Sequence, residues 1–151
     1  MTNWYDEKEI VEVVKDHLMK KGFTIRSEWV KTGPDIEAEI VEGGKRRALI
    51  VEAKGYPTEY YAHGKKAGQP KPTKPNIQAR HWVADAIFTT LLRIAEAKYG
   101  DIQFALAFPK FPIYTNLMNR LRVFREKFNV TLFFVNAGKN VKEFLPTQDI
   151  S

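Results

Sequence analysis

The chain of 151 residues contains no cysteine, and its only serines stand at positions 27 and 151. The absence of cysteine excludes disulfide bonds, thiolate zinc sites and thiol nucleophiles. The three histidines, His17, His63 and His81, are scattered along the chain. We therefore expect neither a Ser-His-Asp triad nor a zinc site. Glycine-rich phosphate-binding motifs are also missing, so the sequence predicts no nucleotide cofactor.

Long apolar runs are missing as well. No stretch approaches the roughly 18 apolar residues that a transmembrane helix requires. The first residues, MTNWYDEKEI, lack the basic segment and apolar run of a signal peptide. We expect no membrane partner and a cytoplasmic location.

The composition that is present favours a globular domain with an anionic partner. A hydrophobic content of 44% in 151 residues is enough for one domain with a core, which we take to span residues 1–151. Lys and Arg total 24 against 18 Asp and Glu, giving a net charge of +6 and a pI near 9.5. This balance is typical of proteins that bind nucleic acid.

Hydrophobic periodicity predicts an α/β fold. A helix is predicted over residues 6–21 and a hairpin over 34–54, where the strands PDIEAEIV and RRALIVEAK flank the turn EGGK. The remaining predicted elements are a strand over 23–30, a helix over 76–98, a strand over 102–108, a helix over 115–128 and a strand over 130–137. The order α-β-β-β-α-β-α-β indicates a mixed central sheet flanked by helices.

The hairpin brings two acidic residues to one point. If Gly43 and Gly44 form a two-residue turn, Asp35 lies directly opposite Glu52. Opposed Cβ atoms lie about 4.5 to 5.5 Å apart, so two carboxylates there repel each other unless a positive charge intervenes. Lys54, on the same face, is one candidate, and a divalent cation is the other. With a cation, such a group can perform metal-assisted phosphodiester hydrolysis; without one, it is an acidic solvent-facing surface with Lys54 as an ion-pair partner.

The strings Pro34-Asp35 and Glu52-Ala53-Lys54 resemble the signature of the PD-(D/E)XK nuclease superfamily. The predicted order of helix, three strands, helix and strand over residues 6–109 is similar to the core of that superfamily. The resemblance implies a restriction-endonuclease-like αβββαβ core with a mixed sheet, here followed by a C-terminal αβ extension.

The same resemblance implies roles for individual residues. Asp35, Glu52 and the main-chain carbonyl of Ala53 would bind Mg²⁺ or Mn²⁺, and Lys54 would serve the attacking water. Many members add a glutamate from the first helix. Glu7 is best phased with the apolar residues of that helix, but Glu9 and Glu12 are open alternatives.

Gln78 precedes Trp82 by four residues in the second long helix. This spacing is similar to the Gln-x-x-x-Tyr element of the exonuclease-like branch, where the glutamine helps to hold the active site, although Trp82 replaces the tyrosine. By that likeness Gln78 joins the catalytic set. The alternative is that Gln78 is a solvent-exposed residue of the first turn and Trp82 belongs to the core.

Residues 55–75 contain four of the eight prolines and predict a long basic loop. Its aromatic and basic side chains, with Arg80 in the following helix, have the composition of a nucleic-acid-binding segment. A charged loop can also serve only solubility. Arg120, Arg122 and Arg125 offer a second candidate phosphate surface, but a solvent-exposed helix face without a ligand is the favoured interpretation. The predicted nucleic-acid-binding residues of the loop and helix are Tyr60, Tyr61, His63, Lys65, Lys66, Lys71, Lys74 and Arg80.

Taken together, these features predict a Mg²⁺- or Mn²⁺-dependent deoxyribonuclease that acts in DNA repair, recombination or defence. We expect DNA as the partner, internal cleavage rather than cleavage from ends, and a possible homodimer. The alternative is a non-catalytic nucleic-acid-binding module or subunit that retains the nuclease fold.

Overall fold

The computed structural model describes residues 6–28, 33–57, 64–71, 74–97 and 101–151. Within these ranges the chain forms four helices and six strands. The helices are α1 (Glu7–Lys20), α2 (Pro75–Glu96), α3 (Pro112–Arg120) and α4 (Arg122–Phe128). The strands are β1 (Thr24–Glu28), β2 (Ile36–Glu42), β3 (Lys45–Ala53), β4 (Asp101–Pro109), β5 (Val130–Val135) and β6 (Val141–Phe144).

The strands form one mixed sheet in the order β1-β2-β3-β4-β5-β6. Neighbouring strands from β1 to β3 are antiparallel, β3, β4 and β5 are parallel, and β6 returns antiparallel to β5. The C-terminal ends of the three parallel strands, at Ala53, Pro109 and Val135, therefore lie along one side of the sheet, which we call the carboxyl edge. The molecule is thus a mixed α/β protein with a six-stranded sheet flanked by helices.

The hairpin register is the one that the sequence predicts. Gly43 and Gly44 both have positive φ angles, 56° and 78°, as a two-residue type I′ turn requires. Glu42 pairs with Lys45, and the register continues without interruption to Ile36 opposite Val51. The next residues outward on the two strands are Asp35 and Glu52.

Each face of the sheet is covered by helices, and alternate residues of β4 show this division. Ala105 and Ala107 pack in the cluster that contains α1, whereas Leu106 and Phe108 pack against α2 and α3. This alternation follows from the two-residue period of a strand. The buried residues of α1 are Ile10, Val11, Val14 and Leu18, the four that the helical spacing predicts.

Helix α2, 22 residues long, crosses the sheet as the connection between β3 and β4. Pro75 begins it, a position where the missing backbone N–H is not needed. Its buried side is formed by Gln78, Ala79, Val83, Ala86 and Thr90. None of the helices in the described ranges has both the length and the apolar character of a membrane-crossing segment.

The C-terminal region differs from the prediction of one helix and one strand. The predicted helix over 115–128 is two helices, because the backbone leaves the helical path at Leu121, and β6 adds a further strand after β5. The extension is therefore α-α-β-β rather than αβ. Arg125, expected on an exposed face with Arg120 and Arg122, is fully buried instead.

The burial of Arg125 has a structural cause. Its Nη2 donates hydrogen bonds to the carbonyls of Leu145 and Gln148, each at 2.9 Å. Asn119 adds two hydrogen bonds to Ile150, one donated by its side chain at 3.1 Å and one accepted at 2.9 Å. Arg125 thus satisfies carbonyl groups of the C-terminal segment and is not part of a phosphate-binding surface.

Candidate active site

Asp35 and Glu52 are brought together at the open end of the β2–β3 hairpin. Asp35 stands one residue before β2, and its Oδ2 accepts a hydrogen bond from the backbone N–H of Ala53 at 2.7 Å. The Glu52 side chain is also a hydrogen-bond partner of the Asp35 carboxyl. The predicted meeting of these two acids at the end of the hairpin is therefore observed.

The environment of this pair opposes full ionisation. Glu52 is only 8% exposed. Burial, followed by the negative charge of Asp35, raises the pKa of Glu52 to about 7. Burial also raises the pKa of Asp35, against the lowering effect of the Ala53 hydrogen bond and of Lys54. Glu52 consequently keeps its proton up to about pH 7, and added positive charge beside the pair would favour ionisation of both carboxyls at lower pH.

Arg93 of α2 supplies part of that charge. Its Nε and Nη2 lie 2.9 Å and 2.8 Å from Oε1 of Glu52. The guanidinium lowers the pKa of Glu52, but less than burial and Asp35 raise it. Sequence reasoning did not identify Arg93, because a residue of α2 reaches Glu52 only through the packing of the helix on the sheet.

Lys54 lies beside the acid pair and is held from α2. Its Nζ contacts Oδ2 of Asp85 at 2.7 Å. Its positive charge also lowers the pKa of Glu7, Asp35 and Glu52. The predicted lysine is therefore within electrostatic reach of the carboxyls, and Asp85 is a second residue of the site that the sequence pattern does not reveal.

Glu7 is the acidic residue of α1 that approaches the pair. Burial and then the charge of Asp35 raise the pKa of Glu7 to about 7. Glu9 and Glu12 are exposed, and Glu12 pairs with Lys15 at 3.0 Å. The structure thus distinguishes Glu7 from the two alternatives.

Gly55 explains how the first turn of α1 comes so close to Lys54. A Cβ atom at this position would lie 2.5 Å from the backbone nitrogen of Glu7, a distance that permits no side chain. The backbone carbonyl of Gly55 accepts a hydrogen bond from the hydroxyl of buried Tyr114 at 2.9 Å. Burial and the nearby charge of Glu7 raise the pKa of Tyr114, so its hydroxyl remains a donor. A glycine and a tyrosine from α3 therefore fix the backbone next to Lys54.

The charges of this cluster do not balance. Among the residues that the structure describes, four carboxyl groups surround two cationic side chains, which leaves two negative charges in excess when all are ionised. The carboxyls belong to Glu7, Asp35, Glu52 and Asp85, and the cations to Lys54 and Arg93.

The donor atoms near the pair fit a hard divalent cation. Carboxylate and carbonyl oxygens are preferred ligands of Mg²⁺, which often takes only one or two carboxylates and completes its shell with water and substrate phosphate. Asp35 and Glu52, with the main-chain carbonyl of Ala53 adjacent, can supply such a partial shell. Within the described ranges no group of three or more Asp, Glu, His or Cys side chains forms a ready metal cage.

The remaining predicted residues make other contacts, are exposed, or lie outside the described ranges. Gln78 is buried rather than solvent-exposed, and its Oε1 accepts a hydrogen bond from Nζ of Lys71 at 3.3 Å. Lys71 also lies over the ring of Trp82, 5.6 Å from its centre. Four further basic residues are exposed, and three lie outside the described ranges. The exposed residues are Lys65, Lys66, Lys74 and Arg80; those outside are Tyr60, Tyr61 and His63.

Comparisons with protein-family models, with curated proteins and with solved structures found no match for this chain. The function is therefore inferred from the arrangement of its side chains.

Proposed function

We propose that this protein is a Mg²⁺- or Mn²⁺-dependent nuclease that hydrolyses DNA phosphodiester bonds. The observation that carries the proposal is the pairing of Asp35 and Glu52 at the end of a hairpin, directly beside Lys54, in a cluster with excess negative charge. The order from α1 to β4, a helix, three strands, a helix and a strand, supports a restriction-endonuclease-like core for this region.

The side chains have distinct roles in this mechanism. Asp35, Glu52 and the carbonyl of Ala53 would hold the cation, with Glu7 close enough to add charge. A bound divalent cation would polarise the phosphoryl group and lower the pKa of a water ligand. Lys54 orients the attacking water or neutralises charge on a phosphate oxygen.

Arg93 and Asp85 support these groups from α2. Arg93 fixes the orientation of Glu52 through two contacts to one oxygen, which leaves Oε2 of Glu52 outside these contacts. Asp85 holds the ammonium of Lys54 at 2.7 Å. In this arrangement both residues are positioning residues, because they act through Glu52 and Lys54.

The DNA-binding surface proposed on this side is basic. Arg93 contacts Glu52 whereas the earlier residue Asp85 contacts Lys54, so α2 runs opposite to β3. Its first ten residues, 75–84, extend about 15 Å beyond Asp85 at about 1.5 Å per residue. This half of α2 carries exposed Arg80 and follows the exposed lysines of the 64–74 region. We propose that these exposed basic side chains contact the phosphate backbone of DNA on the α2 side of the site, while buried Gln78 supports Lys71 through a hydrogen bond.

The proposal is tested by incubating purified protein with supercoiled circular DNA in Mg²⁺, in Mn²⁺ and in EDTA. Cleavage is expected only with metal, and internal cleavage yields nicked and linear circles. Asp35→Ala and Lys54→Ala should abolish cleavage while the variants remain folded by circular dichroism. Glu126→Ala, which removes an exposed carboxylate of α4 that pairs with Arg122 at 2.7 Å, is the matched control and should cleave normally. Equal cleavage by all four proteins would show that a contaminant is responsible.

A second candidate is a non-catalytic nucleic-acid-binding module, and the ion pairs of the site favour it. Glu52 already has Arg93 as a counter-charge, and Lys54 already has Asp85. Such a module predicts DNA binding with a steep salt dependence but no binding of Mn²⁺. Titration calorimetry with Mn²⁺ separates the candidates. A nuclease should bind the cation, and its Asp35→Ala variant should not.

A further inference from the structure

The turn between β5 and β6 contains an unusual residue choice. Asn136 and Asn140 close a three-residue loop through a hydrogen bond from the Asn136 N–H to the Asn140 carbonyl at 3.0 Å. Loops of this length commonly end in a residue with left-handed backbone, a position that favours glycine. Lys139 takes that conformation with φ 61°, while neighbouring Gly138 is not among the residues with positive φ. The left-handed position, which favours glycine, is therefore occupied by Lys139, and the glycine of the turn stands one residue earlier.

Lys139 and Lys110 lie on the carboxyl edge, next to the candidate active site. The backbone N–H of Lys54 donates to the carbonyl of Ala107 in β4, and that of Lys110 donates to the carbonyl of Val135 in β5. The ends of β3, β4 and β5 thus form a row in which Lys54, Lys110 and the turn with Lys139 succeed one another. Lys110 and Lys139 are both exposed.

The two chain segments that leave β4 and β5 at this edge are basic. Residues 107–116 and 133–142, which surround the ends of β4 and β5, contain three lysines and no Asp or Glu. The end of β3, by contrast, holds the excess of carboxyl groups. An extended anion that reaches the acid pair would therefore find its favourable neighbouring contacts toward β4 and β5.

The size of the row fits a segment of DNA backbone. Neighbouring strands are about 4.8 Å apart, so the ends of three strands span about 10 Å. One strand of DNA carries a phosphate about every 3.4 Å of helix axis, so a row of this length parallel to the axis spans about three phosphates. We propose that Lys110 and Lys139 form a phosphate-binding surface that holds the DNA backbone on the β4–β5 side of the cleavage site. This inference rests on the proposed nuclease function for the position of the substrate.

Binding of a fluorescent 20-base-pair DNA duplex in EDTA, measured by anisotropy at several NaCl concentrations, tests the surface. Each phosphate contact contributes about 0.9 to the slope of log K against log salt concentration. Lys110→Ala and Lys139→Gly should each lower the magnitude of that slope by about this amount. Because the turn favours glycine, Lys139→Gly should retain or raise the melting temperature, and Lys139→Asn, which also tolerates left-handed backbone, should reproduce its binding defect.

Lys127→Ala is the matched control. Lys127 is an exposed lysine near the end of α4, just before β5 begins, and so lies at the opposite edge of the sheet. Its loss should leave the slope unchanged. The proposal would be overturned if the Lys110 and Lys139 variants kept the wild-type slope, or if Lys127→Ala lowered the slope equally. It would also be overturned if the wild type bound no DNA. Reduced slopes in a protein that cleaves no DNA with Mg²⁺ would uphold the surface and refute only the nuclease.

Discussion

Replacing Glu52 with glutamine should stabilise the metal-free protein at pH 8 and abolish its response to Mn²⁺. Glu52 is buried beside Asp35, and the two effects together raise its pKa from an ordinary 4.5 to about 7. Glutamine keeps the shape of the side chain and an oxygen that can accept from Arg93, but it carries no charge. The substitution therefore removes the unfavourable ionisation without removing the hydrogen bond.

The size of the effect follows from the pKa values. The folded protein holds this proton more tightly than the unfolded chain, so the associated stability is fully present below pH 4.5 and is lost as pH rises through about 7. At about 1.36 kcal/mol for each pH unit, the range from 4.5 to 7 corresponds to roughly 3 kcal/mol. The weaker interaction of a neutral amide with Arg93 offsets part of this gain, by about 1 to 2 kcal/mol. We therefore expect Glu52→Gln to be about 1 to 2 kcal/mol more stable than wild type at pH 8, and no more stable at pH 5.

Urea unfolding in EDTA at pH 5 and pH 8, followed by circular dichroism, measures this difference. A thermal scan at pH 8 with and without Mn²⁺ measures the metal response, since a ligand that binds only the folded state raises the melting temperature. Wild type should gain stability from Mn²⁺, and Glu52→Gln should not. Glu126→Gln, an exposed site outside the cluster, should change stability by less than about 0.5 kcal/mol at either pH.

The reasoning would be refuted if Glu52→Gln were less stable than wild type at both pH 8 and pH 5, with the same loss at each pH. It would mean that the ionised carboxylate is a net favourable partner of Arg93 and that Asp35 imposes no penalty. An Mn²⁺-induced rise in the melting temperature of the variant equal to that of wild type would separately show that Glu52 is not a metal ligand.

Three further predictions concern the groups around the pair. Gly55→Ala should lower the free energy of unfolding by about 3 kcal/mol or more in urea titrations, because its Cβ would meet the backbone nitrogen of Glu7. Tyr114→Phe should cost about 1 kcal/mol in the same assay, since it removes the hydrogen bond to the Gly55 carbonyl; no loss would show that this bond does not stabilise the fold. The affinity for Mn²⁺ should decrease as the pH is lowered through about 7, because Glu52 becomes protonated there. Arg93→Gln should shift the midpoint of this decrease to higher pH in calorimetric titrations, because it removes a charge that lowers the pKa of Glu52.

The hairpin and its acid pair could be predicted from sequence because the information is local. Two adjacent glycines fix the turn, the turn fixes the register, and the two-residue period of strands assigns each side chain to a face. Asp35 and Glu52 therefore follow from residues within about twenty positions of one another. The choice of Glu7 in α1 also follows from local phase, because it shares the helical face of Ile10, Val11 and Val14.

The partners from the other elements could not be predicted in this way. Arg93 and Asp85 reach the site from α2, and Tyr114 reaches it from α3, so their positions depend on how two helices pack on the sheet. Nothing in the periodicity of α2 marks Arg93 as different from other polar residues of a surface helix. A close pairing of opposite charges across distant elements becomes visible only in three dimensions.

The C-terminal region shows a second kind of failure. Arg125 occurs in a segment with helical spacing, and an arginine in such a segment is usually exposed. Here its guanidinium binds carbonyl groups at 145 and 148, so a residue that the hydrophobic pattern assigns to the surface is fully buried. The sequence also does not predict the short strand β6. Its four residues, VKEF, contain too little alternation of apolar and polar side chains to distinguish a strand from a loop.

The charge balance of the cluster supports the proposed cation site over a purely structural network. A network that served only stability would match its acids and bases, as Arg93 matches Glu52 and Asp85 matches Lys54. Asp35 and Glu7 are two further carboxyl groups beyond these two ion pairs. Their negative charges make ionisation of the neighbouring acids less favourable. A neutral residue at either position would relieve that cost. Protonation, a neutral substitution or a bound cation would each relieve this cost, which is why Mn²⁺ and the Glu52→Gln substitution are both expected to stabilise the protein at pH 8.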